Sequence, residues 1–60
     1  MKLIFEMEKP TKNTIKFKEI LENDLDAPKV GAIYLQKAAL KELNWAEGKN
    51  LEIEIRVVEE

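Results

Sequence analysis

Neither cysteine nor histidine occurs anywhere in this chain of 60 residues, and those two absences constrain its fold more than any residue present. A chain this short buries only about 60% of the surface that its unfolded form exposes. Natural domains of this size usually add disulfides, a structural metal or a second subunit. Without Cys there is no disulfide, and without Cys and His every common structural zinc site is lost. Efficient packing and self-association remain. The expectation is one domain over residues 1–60, with no metal and no cofactor, that forms a homodimer. The commonest general base and the thiol nucleophile are missing too, so a non-enzymatic role is expected.

Hydrophobic periodicity divides the chain. Leu3, Phe5 and Met7 share one face of an alternating segment, against Lys2, Glu6 and Glu8 on the other, and a period of two marks a half-buried strand. Lys9-Pro10-Thr11-Lys12-Asn13 follows as a turn of about five residues. Alternation resumes over 14–19, with Ile15 and Phe17 inward and Lys16 and Lys18 outward, so the two segments read as a hairpin. Residues 21–29 lose the pattern and run into Pro28, as a loop does. From Val30 a third strand is expected, with Ile33 and Leu35 on one face.

Residues 37–43 switch to strong helix formers, placing Ala39, Leu40 and Leu43 at three-to-four spacing. Asn44 stands where a left-handed cap residue would end this helix, and Trp45 where the accompanying apolar contact would fold back. After a turn at 47–50, Leu51, Ile53, Ile55 and Val57 alternate with Glu52, Glu54 and Arg56 as a last strand. The fold class expected is α+β, a small mostly antiparallel sheet in the order β-β-β-α-β with one short helix. Its core would be Leu3, Phe5, Met7, Ile15, Phe17, Ile33, Leu35, Leu40, Leu43, Trp45, Leu51, Ile53, Ile55 and Val57. One helix covers one sheet face, so Ile4, Tyr34 and Val58, which fall off the main pattern, are candidates for an interface on the other.

Ten basic residues against 12 acidic give a net charge of −2, unevenly spread. Residues 1–18 hold five Lys against two Glu. Lys9, Lys12, Lys16 and Lys18, with Asn13 at the hairpin tip, could contact phosphates and a base edge as a two-stranded ribbon does. The alternative is a charged outer face that keeps the sheet soluble and discourages edge pairing. The acidic pairs Glu6/Glu8 and Glu52/Glu54 read as solvated strand faces. The loop with Glu22, Asn23, Asp24 and Asp26 fails calcium-loop spacing: Ala27 and Ile33, or Lys29 and Leu35, stand where Gly and Glu are needed. Gly31 and Gly48 are too far apart for a phosphate loop. No run approaches the ~20 apolar residues of a membrane span, and the opening apolar run is too short for a secretion signal, so a cytoplasmic location is expected.

At 33–55 the chain resembles AbrB/MazE-type proteins. Lys37, Ala38, Leu40, Leu43, Glu47, Gly48, Leu51, Ile53 and Ile55 carry the likeness, with Gln36 where that family usually has Pro and Asn44 where it commonly has Gly. The resemblance implies an intertwined, swapped-hairpin dimer and DNA binding in regulation. Residues 11–17 are similar to part of small uncharacterised bacterial proteins, which implies no function. Two functions are therefore open: a binding or regulatory module contacting DNA through the Lys-rich hairpin, or a protein–protein interaction module with no nucleic-acid role.

Overall fold

Four antiparallel strands and one short helix make up the computed structural model, which describes residues 1–23 and 25–59. Along the chain these are β1 (Lys2–Pro10), β2 (Thr14–Glu19), β3 (Ala32–Gln36), α1 (Lys37–Glu42) and β4 (Leu51–Glu54). The sheet order is β3-β2-β1-β4, so β3 and β4 are its edges. The class is α+β. No helix among the described residues is long and apolar enough to cross a membrane. Asp24 of the acidic loop lies outside the described residues.

Directly opposed residues in antiparallel strands share a face, so the register defines an inner face. Met7 opposes Phe17, Phe17 opposes Ile33, and Ile15 opposes Leu35. Leu3 opposes Ile53 and Phe5 opposes Leu51. Phe5 and Phe17 are fully buried there, with Ile15 and the helix residue Leu40. Leu3, Met7, Ile33, Leu35, Trp45, Leu51 and Ile53 pack half-buried around them.

The hairpin differs in detail from its sequence reading. β1 runs on to Pro10 and the loop shrinks to Thr11–Asn13. Pro10 can end β1 because β4 reaches only as far as Phe5 along it, so on that side no ladder bond is lost. Thr11 N–H donates to Thr14 O at 2.8 Å and Thr14 N–H to Thr11 Oγ1 at 3.1 Å, which closes the loop. The register also shifts between Met7 and Lys9, leaving Glu8 as an extra residue in β1. Unbroken alternation would turn Lys9 into the core; this bulge sets it opposite Lys16 on the outer face instead.

Helix α1 ends as its residues dictate. Asn44 takes φ 59°, Trp45 N–H donates to Leu40 O at 3.0 Å and Asn44 N–H to Lys41 O at 3.1 Å, the paired bonds of a Schellman cap. Trp45 thereby folds back edge-on against Phe17, ring centroids 5.4 Å apart at 80°, and its indole N–H donates to Lys49 O at 2.7 Å.

Three expected core residues are not in the core. Leu43 is 65% exposed, because the helix stops a residue earlier and Leu43 becomes its C-cap. Ile55 is 40% and Val57 87% exposed. Both lie beyond β4, which ends at Glu54 opposite Lys2, the first residue of β1.

Candidate interaction surfaces

The outer face carries most of the charge, and the register decides how it is used. Lys18 lies opposite Glu6 and their side chains meet at 3.4 Å. The extra residue Glu8 reaches Lys16 at 2.9 Å. Lys2 and Glu52 approach to 4.0 Å. Lys16 Nζ also sits 5.9 Å from the centre of the Tyr34 ring, the residue opposite it on β3. The hydrogen bond from Lys16 holds the Glu8 carboxyl below its ordinary value, and the Glu8 carboxylate raises Lys16 in return.

The five candidate phosphate-contacting residues are thus divided. Lys16 and Lys18 lie on the outer sheet face with carboxylates already against them. Lys9 shares that face, opposite Lys16, next to the exposed hairpin loop that carries Lys12 and Asn13. There Lys9 and Lys12 enter none of the ion pairs among the described residues. Asn13 also serves the fold, its carbonyl accepting the Lys37 N–H at 2.9 Å where α1 begins. The sheet does not bring the five together as one open cationic surface.

The interface candidates are also dispersed. Ile4 lies on the outer face beside Ile20, whose N–H donates to Ile4 O at 2.9 Å. A shallow groove of about 310 Å³ near them is lined by Met1, Ile4, Ile20, Asp26 and Lys29 among others. Tyr34 shares that face two strands away on β3, on the far side of the Glu6/Lys18 pair. Val58 lies beyond β4, strongly exposed.

Two arrangements escaped sequence reasoning. The Glu19 carboxylate accepts backbone N–H bonds from Val30 at 2.8 Å, Lys29 at 3.0 Å and Gly31 at 3.1 Å, closing the loop between β2 and β3. Gly31, at φ 89°, adopts the backbone that turns its amide to this carboxylate. The bonds from Val30 and Gly31, above all, hold the Glu19 carboxyl below its ordinary value. An acid beside a Pro-containing loop was the only available signal. The second is that the strand β4 stops at Glu54, which leaves the alternating Ile55 and Val57 outside any strand.

No family model, curated protein or solved structure matches this chain.

Proposed function

We propose that this chain is a small, non-enzymatic, cytoplasmic protein–protein interaction module that works as a homodimer. The observation that carries the reading is the contrast between its two kinds of exposed surface. Lys16 and Lys18, the lysines that a nucleic-acid face would need on the sheet, are matched by Glu8 and Glu6. The apolar Leu43, Ile55, Val57 and Val58 are left uncovered. Phosphate contacts draw affinity from net positive charge, and at Lys16 and Lys18 that charge is offset by carboxylates. Protein partners draw it from apolar surface removed from water. Of what the AbrB/MazE-type resemblance implies, this reading keeps the dimer and sets the DNA aside.

Solution mass, measured by sedimentation from about 1 µM upward to high micromolar concentration at fixed salt, tests it through mass action. A dimer that dissociates on dilution is expected. With duplex DNA, affinity no better than the non-specific range of about 10⁻⁴–10⁻⁶ M is expected. A monomer throughout, or tight DNA binding that weakens steeply with salt and is abolished when Lys12, Lys16 and Lys18 are changed to Glu, would overturn the proposal.

A further inference from the structure

We infer that the dimer forms by antiparallel pairing of the β4 edge with the same edge of a second copy, across a two-fold axis at Ile55. This rests on the homodimer reading above and names the surface and the register.

The backbone points to this edge. Met1 and Ile55 exchange two hydrogen bonds, Ile55 N–H to Met1 O at 2.7 Å and the Met1 amine to Ile55 O at 2.6 Å. Antiparallel pairs alternate between hydrogen-bonded and non-hydrogen-bonded. Leu51, Ile53 and Ile55 therefore spend their backbone groups on the β1 side, while Glu52 and Glu54 turn theirs to the open side of the sheet. Residues 55–59 follow outside any strand, with the β-branched composition that strands favour. β3, the other edge, has no such continuation: positive-φ Gly31 precedes it and α1 starts at the next residue.

Side chains select the occupant and the register. A two-fold interface pairs residue i with j and j with i, so a single segment must be complementary to its own reverse. With the axis at Ile55, Glu54 faces Arg56 of the second copy twice over, Ile53 faces Val57 twice, and Ile55 faces Ile55. Every like-charge opposition is avoided from 53 to 57. Moving the axis to Glu54 sets Glu54 against itself; moving it to Arg56 does the same to Arg56; moving it to Ile53 sets Glu52 against Glu54. The chosen register also covers Ile55 and Val57, which the single chain leaves exposed. Opposite charges facing each other across strands are favourable and like charges are not, and the axis at Ile55 is the register that sets Glu54 against Arg56 without opposing like charges.

A chain without native Cys allows a direct test. At a non-hydrogen-bonded pair the Cα atoms stand about 4.5 Å apart, inside the disulfide range of about 4.4–6.8 Å. Ile55→Cys should therefore cross-link to itself under mild oxidation. Ile53→Cys and Val57→Cys should cross-link slowly alone and rapidly when mixed. Arg56→Glu, on an exposed side chain, should leave the circular dichroism unchanged and weaken dimerisation at least tenfold. If the natural chain is dimeric but Ile55→Cys does not cross-link, or all three positions cross-link alike, the register is wrong while the homodimer reading stands. If the natural chain is monomeric at high micromolar concentration, both fall.

Discussion

Replacing Phe17 with alanine tests the account of the core most directly. Phe17 is fully exposed to other side chains and not at all to water: its flanking partners in the sheet are Met7 and Ile33, and the Trp45 ring lies edge-on to it. Truncating a buried Phe to Ala costs about 3–5 kcal/mol, of which about 0.5–1.5 kcal/mol belongs to an edge-to-face aromatic pair. Total stability at about 0.05–0.15 kcal/mol per residue comes to roughly 3–9 kcal/mol for this length. The substitution therefore removes between about a third and all of it. Trp45, the only tryptophan, reports the change from within the contact. In urea, with a slope of about 1 kcal/mol per M for so small a chain, the midpoint should fall by about 3–5 M. Protomer concentration is held constant between variants, because association shifts apparent stability. A Phe17→Ala protein with native circular dichroism and a midpoint within about 1 M of the natural chain would refute the placement of Phe17 at the centre of the core.

Acid should destabilise the fold through Glu19 and Glu8. Both are held below the ordinary value of 4.5, so their contribution is fully present above that value and is lost as pH falls through it towards the folded-state value. Urea midpoints should be flat near neutrality and decline below about pH 4.5, with a shallower decline in Glu19→Gln; an unchanged acid profile in that variant would count against the loop closure. The left-handed residues give a paired expectation: Asn44→Ala and Gly48→Ala should each cost about 1–2 kcal/mol in thermal or urea melts, while Asn44→Gly stays within a few tenths of the natural chain. At Gly48 (φ 94°) a Cβ meets no atom within 4 Å, so the cost there is backbone strain alone, and a neutral Gly48→Ala would contradict the conformation.

How far each feature can be read from the sequence follows from how local its cause is. Alternation in Leu3-Phe5-Met7, Ile15-Phe17 and Ile33-Leu35 placed the inner face correctly because side-chain direction in a strand is set residue by residue. The cap at Asn44 and Trp45 was legible for the same reason, being decided within one turn. The bulge at Glu8 was not, since it exists only relative to β2, and neither was the Glu19 closure, which depends on where the chain returns at Lys29–Gly31. Charge shows the difference most clearly. Along the chain, residues 1–18 are rich in Lys. Across the sheet, Glu6 and Glu8 stand against Lys18 and Lys16, and the potential of that face belongs to two strands rather than to one segment. The same reasoning explains the error at Ile55 and Val57. Their alternation is as regular as that of Leu51 and Ile53, but burial needs a neighbouring strand, and the pairing of β4 with β1 ends at Glu54 and Lys2. An alternating pattern that continues past the paired part of its strand fits pairing with a second copy, which would cover Ile55 and Val57.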